Sequence, residues 1–378
     1  MKRTWVLLLL VLVLITVPQI SATDSPSPRM GSRMIYDPVD QRVLLFGGSM
    51  YDNGYTLYND IWSYRYETNT WTEIETSGGP SGRFNTPFIY DSDTHRIIVF
   101  SGFGANERSA DMYSYDIEEN TWTRLQPSPM PFARSDTSVV YDEKYDKIIM
   151  FSGYVHHNDT HPLDTWAYDV PTNTWEKMSP NITPKGQYGH YFIYDSIQER
   201  SLMLGGHWSE GQRHGYTDGL WQYDYGSDTW TLLEETPSLP NRYWHTFSYN
   251  TGNGEATVFS GSHGSSDHSD DTWILDTGTG AWRQVESDTR PPSRVCSTAV
   301  FDPVNDVTLI FGGMVDQVYL DDLWVLDSSG QWRELTGGTD PTEPIEENEI
   351  PGYPMLSIML GIVLIAQVGL GKRLVNHS

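Results

Sequence analysis

Residues 134–177 read RSDTSVVYDEKYDKIIMFSGYVHHNDTHPLDTWAYDVPTNTWEK, and this stretch decides the fold. In order it carries Arg134, the pair Tyr141-Asp142, the apolar run Ile148-Ile-Met-Phe151, the pair Ser152-Gly153, then Asp164-Thr-Trp166 and Trp175. A short continuous apolar run bounded by turn residues is a strand buried on both faces. Thr172-Asn-Thr174, between two tryptophans nine apart, suits the φ > 0 position of a tight hairpin. The stretch therefore predicts four short antiparallel strands.

The same order recurs along the chain. Tyr36-Asp37, Tyr90-Asp91, Tyr141-Asp142, Tyr194-Asp195, Tyr249-Asn250 and Phe301-Asp302 stand 54, 51, 53, 55 and 52 residues apart. Twelve residues after each aromatic comes a glycine: Gly48, Gly102, Gly153, Gly206, Gly261 and Gly313. A second aromatic pair follows in every unit: Trp62/Trp71, Tyr113/Trp122, Trp166/Trp175, Trp221/Trp230, Trp273/Trp282 and Trp324/Trp332. A lone four-stranded sheet with two apolar faces cannot hide both. Sheets stacked face to face around an axis can, and six units close a ring. Each Trp between sheets buries about 150–250 Å² of surface.

This order of Arg, Tyr-Asp, Gly-Gly, Asp-x-Trp and Trp resembles the kelch repeat. The resemblance runs from about Arg29 to Leu335 and implies an all-β, six-bladed kelch-type β-propeller over residues 23–335. Two units depart from it: Tyr113 replaces a Trp, and Gln187 stands where the others have Arg. First and last strands are in phase, so side-chain packing between the first and last units is expected to close the ring.

Composition agrees. With 33 Gly, 22 Pro, 14 Trp and 23 Tyr, the chain is rich in turns and core aromatics. A net charge of −26 excludes a nucleic-acid partner, because a phosphate backbone would be repelled. The single cysteine, Cys296, excludes a disulfide framework and a Cys-rich metal module.

Both ends depart from the repeat. Residues 1–22 read as a signal peptide forming an N-terminal helix: Met1-Lys2-Arg3, an apolar run from Trp5 to Val17, and the small residues Ser21-Ala22. Residues 336–349 form an acidic Thr/Glu/Pro linker. Residues 350–371 read as a C-terminal transmembrane helix or sorting segment, and 372–378, opening with Lys372-Arg373, as a short basic cytoplasmic tail. This tail resembles the sorting signals of archaeal surface proteins. The expectation is a propeller held outside the cell and anchored to the membrane through the C-terminal helix. Asn158-Asp-Thr160 and Asn181-Ile-Thr183 fit the N-glycosylation pattern.

The stretch from the double glycine to Asp-x-Trp varies in length, and in an up-and-down sheet it emerges beside the connector to the next blade. Variable loops on a rigid scaffold are where function usually lies. Three sets of residues converge there. Arg29, Arg83, Arg134, Arg242 and Arg294 hold one equivalent position. They are expected either to ring the mouth of the central channel as ligands for carboxylate, sulfate or phosphate, or to pair with acidic residues of the blades. His156, His207, His214 and His263 are candidate ligands for a divalent metal, although no tight ligand motif is present and no cofactor is otherwise implied. His190 and His245 match a histidine common in kelch repeats and are expected to be structural. Tyr51, Tyr154 and Trp208 offer rings to a sugar or protein. Asp60, Asp111, Asp164, Asp271 and Asp322 read as turn caps.

No nucleophile elbow, phosphate loop or His-Glu-x-x-His is present. Three functions are weighed. The first is a binding or adhesion module for an extracellular glycan or protein, acting through the loop face. The second is an extracytoplasmic enzyme on acidic sugars, of epimerase or lyase type, using an Arg-lined pocket. The third is a structural envelope component.

Overall fold

A computed structural model describes residues 25–104, 110–155, 160–210, 213–217, 219–234, 239–264 and 268–336. The expected signal helix, the linker beyond Thr336, the C-terminal helix and the basic tail lie outside the described residues. Among the described residues no helix is long and apolar enough to cross a membrane.

Six four-stranded antiparallel sheets form the blades of a propeller. Blade 1 comprises Arg33–Asp37, Arg42–Phe46, Ile61–Arg65 and Thr70–Ile74. Blade 2 comprises Phe88–Asp91, Arg96–Phe100, Met112–Asp116 and Thr121–Leu125. Blade 3 comprises Ser138–Asp142, Lys147–Phe151, Thr165–Asp169 and Thr174–Lys177. Blade 4 comprises Tyr191–Asp195, Arg200–Leu204, Leu220–Asp224 and Thr229–Glu234. Blade 5 comprises Thr246–Asn250, Glu255–Phe259, Thr272–Asp276 and Ala281–Gln284. Blade 6 comprises Thr298–Asp302, Val307–Val315, Val318–Asp327 and Trp332–Thr336. The second strand of each blade is buried throughout its apolar run, as expected of a strand covered on both faces.

Large aromatic side chains hold the ring. The last Trp of a blade packs on the Phe that ends the second strand of the preceding blade. Trp122 lies 5.8 Å from Phe46, Trp175 5.3 Å from Phe100, Trp230 5.0 Å from Phe151, and Trp332 5.3 Å from Phe259. Trp71 of blade 1 lies 5.3 Å from Phe311 of blade 6, which closes the circle. Blade 4 ends its second strand in Leu204 instead of Phe. Trp282 joins the cluster around Leu204 only partly buried and donates its indole N–H to Glu234 at 2.9 Å.

Closure uses the backbone as well as side chains, which amends the expectation of packing alone. The glycine twelve residues after each inner-strand aromatic donates its N–H to the carbonyl that opens the next blade: Gly48 to Arg83, Gly102 to Arg134, Gly153 to Gln187, Gly206 to Arg242 and Gly261 to Arg294. Gly313 donates to Arg29 at 2.9 Å in the same way, so the segment before blade 1 serves blade 6. These glycines also have positive φ. At Gly102, with φ +96, a Cβ would stand 2.6 Å from that of Thr86. The four-residue hairpins behave as the sequence predicts: Asn69, Asn120, Asn173 and Asp228 sit at φ near +50 and each accepts a tyrosine O–H from the third strand at 2.8 Å.

Candidate functional site

The five arginines do not line a channel. Arg29, Arg83, Arg134, Arg242 and Arg294 are at most 1% exposed, and they lie in the connectors before the inner strands. Each lays both terminal nitrogens on one carboxylate of its own blade. The pairs are Arg29–Asp60, Arg83–Asp111, Arg134–Asp164, Arg242–Asp271 and Arg294–Asp322, with closest approaches of 2.6 to 2.9 Å. The fork that suits a ligand is filled internally. The aspartates are correspondingly not turn caps. Where a Trp follows, the aspartate also accepts its indole N–H, as in Trp62 to Asp60, Trp166 to Asp164, Trp273 to Asp271 and Trp324 to Asp322. Burial pushes Asp271 up, but the Arg242 guanidinium outweighs it and holds the carboxyl at about 2. Blade 4 shows the rule by exception: it has Gln187 for the arginine and Gly219 for the aspartate, and the Gln187 amide accepts from Thr217 instead. That joint loss was the sequence signal for the pairing.

The axis is sealed at the loop end. Gly31, Asn85, Asp136, Gly189, Trp244 and Cys296 occupy one level, all at positive φ and all buried. Backbone bonds of 2.8 to 3.0 Å run from Asn85 to Gly31, Gly31 to Cys296, Cys296 to Trp244, Trp244 to Gly189 and Gly189 to Asp136. The Asp136 carboxylate accepts from Asn85 Nδ2 at 2.6 Å, Trp244 Nε1 at 3.0 Å and Ser135 Oγ at 2.6 Å.

Above this seal spreads an aromatic, uncharged floor. Met30, Phe84, Tyr243, Trp244, Val295 and Tyr319 are its buried part, and Met50, Leu57, Phe103, Tyr188, Tyr216 and Met314 its partly open part. Tyr188 sits at its busiest point, 5.1 Å from His207, 6.1 Å from Tyr243 and 6.0 Å from Trp244. Three variable loops rise around it as hairpins. They are Ser49–Tyr51 with Tyr55–Leu57 in blade 1, His207–Glu210 with Arg213–Tyr216 in blade 4, and the outer part of the Val307–Val315/Val318–Asp327 pair in blade 6. The sequence reading missed Phe84, Tyr188 and Tyr243. They stand directly after Arg83, Gln187 and Arg242, a position that aligning the repeats exposes as apolar or aromatic in most units.

The aromatic candidates divide. Tyr51 is 44% exposed and packs edge-on against Tyr55, also 44% exposed, whose ring stacks on Phe84. Tyr154 is buried against Tyr188 and His161, so it supports the floor instead of meeting a ligand. Trp208 has its ring covered by the Lys185 ammonium, 4.2 Å from its centroid, and by the backbone of Gly215, where a Cβ would lie 3.0 Å away.

Among the described residues no group of three His, Cys, Asp or Glu side chains could hold an ion. His156 lies outside the described residues. His207 and His214 stack at 5.8 Å, and burial, aided by the neighbouring His214 and His161, lowers His207 to about 4. His263 is engaged with the Asn241 carbonyl at 2.6 Å. His190 and His245 are fully buried, as structural residues are; burial lowers His190 to about 3 and His245 well below its ordinary value. Cys296 is also buried, and burial pushes its thiol up.

The chain matches a family model described as the "KLHDC2/KLHL20/DRC7 Kelch-repeats domain", over residues 13–206 and 137–349. It is 22% identical over 201 residues to Mei4-dependent protein 6 of Schizosaccharomyces pombe, covering 48% of this chain and 28% of that protein. Kelch domain-containing protein 10 of Xenopus tropicalis is 24% identical over 242 residues, covering 57% of this chain and 53% of the relative. Its Xenopus laevis counterpart is 24% identical over 243 residues, covering 57% and 54%. The chain thus spans about half the length of the Xenopus proteins and less of the yeast one.

Proposed function

The chain belongs to the kelch-repeat propellers, and from that premise we propose that it is a protein-binding module whose docking face is the loop side of the ring. One observation carries the reading. The floor is built of apolar and aromatic side chains, its hairpins adding charges of both signs (Asp52, Glu210, Arg213 and Asp316), whereas exposed acidic residues such as Asp93, Glu118, Glu119, Glu143 and Asp306 crowd the opposite turns. Apolar, aromatic surface at the centre of a patch is what protein interfaces bury. The acidic-sugar enzyme has no comparable support, because the arginines assigned to its pocket are committed to aspartates.

The terminal patterns extend the proposal: residues 1–22 direct export, and residues 350–371 tether the propeller at the cell surface, where its partner is an extracellular protein. A glycan is the second reading, favoured by the open Tyr51–Tyr55 pair. A photo-crosslinking residue placed at Tyr51, and separately at Asp93 on the opposite turns, tests the docking face. A partner trapped from Tyr51 and not from Asp93 supports it; trapping from Asp93 alone refutes it. Protease shaving of intact cells tests the location.

A further inference from the structure

Arg33 stands apart from the five buried arginines. It opens the inner strand of blade 1, paired with Phe46, at the same level at which Tyr191, paired with Leu204, opens that of blade 4. Blades 1 and 4 are opposite in a ring of six, and the Arg33 Nη1 to Tyr191 hydroxyl bond of 2.8 Å therefore crosses the axis. The guanidinium also lies 4.9 Å from the centroid of the Tyr191 ring. Among the described residues no carboxylate comes within 4.0 Å of Arg33. Asp136, in the sealing level above, has its oxygens taken by Asn85, Trp244 and Ser135. It does not cap the donors of Arg33.

Both Arg33 and Tyr191 are partly exposed although every residue of the sealing level is buried. The open space beside them therefore lies along the axis, on the hairpin-turn side of that level. A propeller is built around a central channel, and here Arg33 and Tyr191 close it into a well; two residues on, the inner strands place Ile35, Ile89, Val140, Ile193, Ser248 and Val300 at one level, of which Ile35 and Ile89 are partly exposed. Around its closed end, Thr298 Oγ1 and Ser138 Oγ accept the Met34 and Phe192 amides, which leaves their hydroxyl protons free to point elsewhere. Burial raises Tyr191, so its hydroxyl stays protonated. A cationic fork and neutral hydroxyl donors at the foot of a mainly aliphatic shaft suit one chemistry.

We propose that the axial well binds a small aliphatic carboxylate, its carboxylate on the Arg33 guanidinium and the Tyr191 hydroxyl and its hydrocarbon part against Ile35 and Ile89. The site is separate from the loop face and does not depend on any partner there. Isothermal titration of the full chain with butyrate, and with butyramide as its neutral match, tests it. Butyrate is expected to bind at least about tenfold more tightly than butyramide, and Arg33→Met to erase that preference. Arg33→Lys, which keeps the charge, should retain it within roughly threefold, which separates loss of the site from loss of the fold. Equal binding of the two probes, or a butyrate preference that survives Arg33→Met, overturns the proposal. So does an absence of butyrate binding in which Arg33→Met destabilises the fold and Arg33→Met/Asp136→Asn restores it, since Arg33 would then serve only to balance Asp136.

Discussion

Replacing Arg134 by Gln, the residue that blade 4 carries at the same position, exposes the energetics of the buried pairs. Arg134 is 0% exposed and gives two bonds to Asp164, at 2.9 and 3.0 Å, one to the Ser152 carbonyl at 2.8 Å and one to that of Phe132 at 3.1 Å. The Asp164 side chain is 10% exposed, and without the guanidinium it keeps the Trp166 indole N–H at 2.8 Å. Leaving one partner of such a pair buried and uncompensated costs about 3–5 kcal/mol, and Asp164→Gly should cost a similar amount by stranding the arginine. The double variant Arg134→Gln/Asp164→Gly reproduces the blade 4 arrangement and removes both charges together. It should cost only about 1–2 kcal/mol, giving a coupling of at least about 4 kcal/mol. Urea unfolding at neutral pH, followed by tryptophan fluorescence, measures all three. Strictly additive costs, or a single-variant loss below about 1 kcal/mol, would refute the view that these residues are internal staples.

Acidification should weaken the fold through two sets of groups. The folded value of Asp271 is about 2, below that of an unfolded carboxyl; its contribution is complete above about pH 4 and disappears as pH falls toward 2, and Asp271→Asn should flatten that limb. His190 is lowered to about 3, so between about pH 6.5 and 3 the unfolded chain binds the proton that the folded one refuses, and stability falls by about 1.4 kcal/mol per pH unit. His190→Thr, the residue type that blades 2 and 3 have as Thr86 and Thr137, should reduce the acid slope in denaturation titrations by one histidine's share, His245 and His207 supplying the rest. Gly102→Ala, forced to φ +96 with its Cβ against Thr86, should destabilise by about 1–3 kcal/mol in urea unfolding. Tyr51→Ser should change stability by no more than about 0.5 kcal/mol yet reduce the yield of partner crosslinked from the loop face.

Much of the architecture was readable because it is periodic and local. Tyr141-Asp142, Ile148–Phe151 and Trp166/Trp175 mark strands by spacing alone, and six copies fix the blade count. Hairpin residues such as Asn69 declare their positive φ by residue type. The candidate site was less readable. Arginine at a repeated position was visible, but its target, 28 to 31 residues away along the chain, depends on where the variable loop brings the chain back. Trp208 reads as an open ring until Lys185 and Gly215 are seen to cover it.

By itself, then, the amino-acid order determined the four-stranded unit, its sixfold recurrence and the tryptophans between sheets, since these follow from hydrophobic spacing within one unit. Only the tertiary structure decided which charges are spent inside, which rings remain open, and that Arg33 meets Tyr191 across the axis from 158 residues away. The physical reason is that a side chain's availability depends on what ring closure places beside it, and that neighbour is remote in sequence.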